Sequence, residues 1–253
     1  VTTSDRRLGP AGETDATPAR ARLDHLVVVA DSLEQGVAWC EATLGVTPGP
    51  GGQHVHMGTH NRLLRLAGAP AAYLEIIAVD PAATRPPGAP RRWFGMDEPA
   101  VRAAVALAPR LLHFVVATDD IDRDVAAWLA LGENPGRPVA ASRATPQGEL
   151  RWRITLRDDG RPRHQGALPS LIEWQGTHPT AAMVEPVLGL RWLRVASPVA
   201  EALGRAWQAI GFGDGAVVAS SNGETRLEAC LTTPRGEVVV GADGALPAQG
   251  SRA

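Results

Sequence analysis

Three features of the sequence predict an α+β fold: repeated βαβββ units forming a curved, barrel-like mixed sheet with helices outside. An apolar strand candidate is followed at once by a helix signal three times along the chain. Shorter strand candidates follow each helix. The helix tryptophan and the glycine that closes each helix recur at matching offsets: Trp39 and Gly45 lie 14 and 20 residues after His25, Trp128 and Gly132 lie 15 and 19 after His113, and Trp207 and Gly211 lie 15 and 19 after Trp192.

The elements follow in order. Residues 1–20 are polar, with no apolar period to repay the entropy of ordering, and read as a flexible tail. The first unit, 21–81, opens with the strand LDHLVVVA. A helix DSLEQGVAWCEATLG follows, with Ser32 and Gln35 at capping-box spacing and Gly45 at its end. Strands around HVHMG, NRLLRLAG and AYLEIIAVD complete it. Residues 82–110 are a Pro/Gly/Arg-rich crossover linker ending in a short helical pattern from Glu98 to Leu107. The second unit, 111–180, repeats the order with LLHFVVATDDIDRDVAAWLALG and strands at ASRAT, LRWRITLRD and SLIEWQG. A degenerate third unit, 187–245, has Trp192 where the other two have histidine, so it is expected to be structural. The helix tryptophans sit on the apolar side of each pattern and pin helix to sheet.

Composition narrows the function. The chain has 253 residues, enough for one or two domains, with 25 Lys+Arg against 27 Asp+Glu and a formal net charge of -2. It lacks the basic excess that phosphate-backbone binding needs, so nucleic acid is not an expected partner. No apolar run approaches a membrane span and the opening residues carry no signal-peptide core, which makes the cytoplasm the expected location. Two cysteines, Cys40 and Cys230, form no CxxC and no sulfur-rich zinc site. The chain has no lysine, which removes Schiff-base chemistry.

Strand side chains alternate, so Leu23, His25, Val27 and Val29 share one face of the first strand, and Tyr73, Glu75, Ile77 and Val79 share one face of the fourth. His25 and Glu75 are ionisable intruders among apolar neighbours. The second unit has the same anomaly at His113 and Glu173. If the units pack as pseudo-symmetric halves, these four side chains converge. Two imidazoles and two carboxylates suit one divalent ion, Ni, Zn, Co, Mn or Fe, with open positions for a bidentate oxygen substrate. The alternative is two separate buried His–Glu pairs and no metal.

The segments LDHLVVVADSLEQ, YLEIIAVDP, LLHFVVATDDI and LPSLIEWQGTHP, with the linker RRWFGMDEPAVRAAVALAPR, resemble the vicinal oxygen chelate superfamily, specifically its glyoxalase-like domain proteins, over residues 21–180. The resemblance implies metal ligands on the first and fourth strands of each unit, which carries to His25, Glu75, His113 and Glu173. It also implies lyase or isomerase chemistry, in which Glu75 or Glu173 is the catalytic base and the ion stabilises an enediolate. A metal-free sequestering protein and an Fe(II) extradiol dioxygenase are the alternatives. Weaker substrate-binding candidates are His54 and Asn61 on the first hairpin and Arg92 and Trp93 in the linker; His164 and His178 read as turn residues. The expected partner is a small molecule, with a homodimer as an option.

Overall fold

The structure is a computed structural model that describes residues 21–213, 215–241 and 244–247; the expected tail at 1–20 lies outside them. The first unit comprises β1 (Arg22–Val29), α1 (Leu33–Leu44), β2 (Gln53–His54), β3 (Thr59–Ala67) and β4 (Tyr73–Val79). After the linker helix α2 (Pro99–Leu107), the second comprises β5 (Arg110–Ala117), α3 (Ile121–Ala130), β6 (Arg137–Thr145), β7 (Gly148–Leu156) and β8 (Ser170–Gln175). The last region holds β9 (Leu188–Ser197), α4 (Ala200–Ala209), β10 (Ala216–Ser220), β11 (Arg226–Thr233), β12 (Gly236–Gly241) and β13 (Gly244–Pro247).

Local chemistry sets the helix ends. Ser32 Oγ accepts the Gln35 N–H at 3.1 Å, Asp120 Oδ1 accepts the Arg123 N–H at 3.0 Å, and Gly45 closes α1 in the left-handed region at φ 73°. Pro99 opens α2 at a position whose N–H would have no helical partner.

One mixed sheet runs β13-β12-β11-β9-β3-β4-β1-β5-β8-β7-β6, with β10 on β9 and β2 on β3, and it stays open rather than closing into a barrel. β1 and β5 pair antiparallel at its centre. Each pairs in parallel with the last strand of its own unit, β1 with β4 and β5 with β8. The two units are thus related by a pseudo-twofold axis through the β1–β5 seam.

The third copy departs from this plan. Its β10, directly after α4, pairs in parallel with β9 and takes the seat that the last strand takes in the other units. The remaining strands are displaced to the other side of β9, beginning with the antiparallel β11. Trp192 lies half-buried under the guanidinium of Arg194, 4.8 Å from the ring centre.

Two apolar clusters lie on opposite faces of the central strands. One includes Leu26, Val28, Ile76, Phe114 and Val116 with α1, α3, α4 and the last unit's strands; the other includes Val27, Val29, Ile77, Val115 and Ile172 with Trp93 and Phe94 of the linker. Helix α1 approaches β4 closely enough that a Cβ on Gly36 would stand 2.4 Å from Ile76 Cγ2. Trp128 is fully buried and donates its indole N–H to the Ala206 carbonyl at 2.6 Å, tying α3 to α4. No helix among the described residues is long and apolar enough to cross a membrane.

Replacing Trp128 with Phe leaves that carbonyl unpaired in the core while conserving most apolar volume. Chemical denaturation is expected to show a loss of about 1–3 kcal/mol; an unchanged midpoint would refute the tie between the two helices.

Candidate functional site

The site begins with two irregularities in the β1–β5 seam. Leu23 lies opposite Val116 and His25 opposite Val115, so Asp24 is an extra residue, a β-bulge on β1. The bulge breaks the alternation: Leu23 packs with Leu26 and Val28 in the helix-side core, while Asp24 and His25 both face the other side with Val27. The pseudo-symmetric strand has the same device. Val27 lies opposite His113 and Val28 opposite Leu111, which leaves Leu112 as the bulge on β5 and turns Leu112 and His113 to the cavity face.

Asp24 is 1% exposed and anchors the polar cluster. Its Oδ1 lies 2.6 Å from His25 Nδ1, and its Oδ2 accepts the Trp174 indole N–H at 2.8 Å and lies 3.1 Å from His178 Nε2. The Thr180 N–H donates to His178 Nδ1 at 3.3 Å, so the proton of that ring sits on Nε2 and points at Asp24. Burial pushes the Asp24 carboxyl upward, but the hydrogen bonds from His178 and His25 outweigh it and hold the group well below the usual carboxylate range. The anion in turn fixes His25 with Nδ1–H on Asp24 and Nε2 toward Glu75 Oε2, 3.6 Å away. Tyr73 stacks on the His25 ring with centroids 4.6 Å apart, and burial, with the nearby Asp24 and Glu75, pushes its phenol up, so it stays neutral.

Glu75 is 5% exposed and accepts a hydrogen bond from Asn61 Nδ2 at 2.6 Å. It lines a narrow chamber, about 40 Å³, whose polar side is formed with His25, Asn61, Tyr73 and Arg143. His54, Trp93, Trp152 and Ile154 form the wall between this chamber and an apolar one of about 300 Å³ that also holds Met57 and Val139. Trp93 and Phe94 reach the cavity from the linker, where Phe94 has φ 58°, a conformation of order 1–3 kcal/mol above the ordinary regions. The Gly95 N–H, bonded to the Gly160 carbonyl at 2.9 Å, holds that turn in place. Burial, then Arg143 and His25, lower His54 to about 3, so its imidazole is neutral.

The second unit does not mirror this chemistry. Val27, two residues after His25, pairs with Glu75; Val115, two after His113, pairs with Ser170. Ser170, not Glu173, is therefore the counterpart of Glu75. Both the Ser170 N–H and its hydroxyl lie 3.0 Å from His113 Nε2, and the N–H donation makes that nitrogen an acceptor. Ile154 likewise stands where the first unit has Asn61. Glu173 points away from the cavity, since its neighbours Ile172 and Trp174 face in; its carboxylate pairs with Arg153 at 3.2 Å, which also holds Asp122 of α3 at 2.8 Å.

Of the four expected ligands the structure brings His25 and Glu75 together, and leaves His113 on Ser170 and Glu173 across the sheet. Among the described residues no three His, Cys, Asp or Glu side chains are placed to hold one cation. The residues do not fit a four-ligand divalent centre, nor a two-histidine, one-carboxylate iron centre, because the free lone pair of His113 is already taken by a backbone N–H. His54, Asn61 and Trp93 line the cavity. Arg92 does not; it is bound to Asp97, Nη1 to Oδ1 at 2.6 Å. Alternation missed Asp24 by assigning it to the wrong face. His178, read as a turn residue, completes the Asp24 cluster, and the adjacent acid and base in the LDH triplet were its one visible signal.

A model for a glyoxalase-like domain family matches residues 23–211. No curated protein matches the chain. Among solved structures it is similar to a hypothetical protein from Staphylococcus aureus, at 14% identity over 87% of this chain and 84% of that one, with TM-score 0.53. Similarity also extends to methylmalonyl-CoA epimerase from Mycobacterium tuberculosis, at 15% identity, 66% and 96% coverage and TM-score 0.39. A 4-hydroxymandelate synthase mutant from Streptomyces coelicolor gives 10% identity, 91% and 66% coverage and TM-score 0.43. At these identities the likeness is one of fold.

His113, 1% exposed, is lowered from 6.5 to about 3, first by burial and then by His25. The unfolded chain therefore binds a proton below about pH 6.5 that the folded chain refuses until about pH 3, so stability falls as pH drops through that window. In His113→Gln, whose amide oxygen can still accept the Ser170 N–H, the slope of unfolding free energy against pH is expected to flatten by up to about 1.4 kcal/mol per pH unit. Equal slopes in the two proteins would contradict a buried neutral imidazole.

Proposed function

The chain belongs to the glyoxalase-like domain family of the vicinal oxygen chelate superfamily, and from that premise we propose that it is an enzyme that moves a proton on a small organic molecule, with Glu75 as the base. The observation that carries the reading is the Glu75 carboxylate, buried at the cavity floor and oriented by Asn61, with His25 Nε2 beside it.

A carboxylate in this position is costly to bury and is aimed by two neighbours, which is how a base is held ready for a weakly acidic C–H. Glu75 takes the proton from a carbon next to a carbonyl. The electron pair of the broken C–H bond moves onto the carbonyl oxygen and flows back when the same carbon recovers a proton. Return to the adjacent carbon of a 2-hydroxy carbonyl also requires the hydroxyl proton to pass from one oxygen to the other, a transfer that falls to His25 Nε2. His25, fixed by Asp24, presents Nε2 at the same place and shares the proton traffic with the carboxylate. Asp24 acts through His25 as a positioning residue; without it the imidazole loses its tautomer and orientation. A ligand seated against Trp93, Trp152 and Trp174 would displace water from the chamber, which strengthens each of these interactions. A sequestering protein would use the same walls without the proton step.

The test is proton NMR in D₂O on a panel of 2-hydroxy and 2-oxo carbonyl compounds. Protein-dependent loss of the α-C–H signal is expected, slowed about 10²–10⁴-fold in Glu75→Gln and substantially in Asp24→Asn, with Glu173→Gln unchanged. Absence of exchange across the panel, or exchange in Glu75→Gln at the wild-type rate, would sink the enzymatic reading and leave ligand sequestration.

A further inference from the structure

Among the described residues, a positive charge at the cavity has no anionic partner. Arg143, on the edge strand β6 of the second unit, reaches across to the first, where its Nη1 lies 3.3 Å from Asn61 Oδ1. No carboxylate among the described residues lies within ion-pairing distance of its guanidinium. By contrast Arg92, Arg153, Arg157 and Arg161 all have carboxylate partners.

The backbone is built to admit this side chain. A Cβ on Gly52 would stand 2.3 Å from Arg143 Nη1, so the guanidinium lies against a residue that has no side chain. The Gly52 N–H donates to Asn61 Oδ1 at 2.8 Å and the Asn61 N–H to the Gly52 carbonyl at 3.0 Å. The glycine pair in GPGG thus seats both Asn61 and the arginine. A second donor waits nearby: Trp93, 7% exposed and shared by both chambers, has a buried indole N–H with no acceptor among the described residues.

We propose that the ligand is a small organic acid, whose carboxylate pairs with Arg143 and whose planar or apolar body lies in the chamber of Trp93, Trp152, Met57 and Val139. A guanidinium fork suits the two oxygens of a carboxylate, and the narrow chamber, polar on the side of Asn61 and Arg143, suits a flat group. The apolar chamber, about 300 Å³, sets the size of the body. This inference rests on the proposed proton-transfer reading and deepens it. With the carboxylate on Arg143, the Arg143–Asn61–Glu75 chain of contacts brings the adjoining carbon toward the base.

The probes are phenylacetate and its neutral isostere phenylacetamide, titrated into the full chain and followed by tryptophan fluorescence. Phenylacetate is expected to bind at least about tenfold more tightly than the amide. Arg143→Gln is expected to weaken phenylacetate about 10–100-fold and leave phenylacetamide unchanged. Gly52→Ala, which keeps the charge but displaces the guanidinium, is expected to weaken phenylacetate as well. Failure of phenylacetate to bind, equal affinities for acid and amide, or an Arg143→Gln protein that binds phenylacetate like the wild type would overturn the proposal. Glu75→Gln is expected to keep phenylacetate affinity within about threefold or tighten it by removing a like charge, so loss of proton transfer and loss of acid recognition are read separately.

Discussion

The extra residue at Asp24 is the constraint on which the cavity depends. A strand presents every second side chain to one face, and a regular β1 could place either Asp24 or His25 in the cavity, never both. The bulge places both there. It lets the acid fix the imidazole from the adjacent position and frees His25 Nε2 to face Glu75 on the neighbouring strand. A bulge costs ladder regularity, and this one sits at the seam between the units, where β1 and β5 are held on both faces by apolar clusters. The packing on the helix side, including Phe114 against Trp207 and Phe212, keeps the irregular seam in register. Core residues far from the cavity therefore help to set its geometry.

The duplicated half keeps the bulge and has lost the acids. Leu112 stands in place of Asp24, Ser170 in place of Glu75 and Ile154 in place of Asn61, while His113 remains as an imidazole held at Nε2 by Ser170. Burying the two carboxylates of the first half is tolerable because each is hydrogen-bonded and flanked by an imidazole, with His178 reaching Asp24 from the second half. A second identical set across the seam would place like charges close together in a low-dielectric space. The uncharged replacements Leu112 and Ser170 remove that repulsion, and Ile154 supplies part of the wall against which a ligand's body packs. The chemistry and the binding surface are thus divided between the two units, and Arg143 is the point where the second reaches over the first.

The sequence made much of this legible, for physical reasons. Strand–helix order, caps at Ser32 and Gly45, and the apolar seat of Trp128 all depend on local periodicity and local hydrogen bonds. His25 and Glu75 were visible because a charge in an apolar strand needs an explanation. Asp24 was not, because a bulge is a property of pairing between strands and leaves no mark on one strand's alternation. The same blindness misassigned Glu173: equivalence of the fourth strands was judged by acidity, whereas register makes Ser170 the counterpart and leaves Glu173 to bind Arg153. Arg143 and Gly52 are 91 residues apart and meet only through sheet curvature. The displaced strands of the last unit were hidden too, since element order is the same whichever side of β9 they join.

The last unit's departure from the repeat follows from what it must cover. The first two units each present a cavity face to the other, and a third true copy would present a polar-lined face with no partner. With β10 seated beside β9, the later strands β11 and β12 run on to lay Leu227, Ala229, Leu231 and Val240 over the outer core instead. Trp192, where a histidine would otherwise stand, caps that arrangement under Arg194 at the surface. A unit derived from the same pattern is thereby turned from lining a site into bracing the strands that carry one, and its helix α4 is bound to α3 through Trp128 for the same purpose.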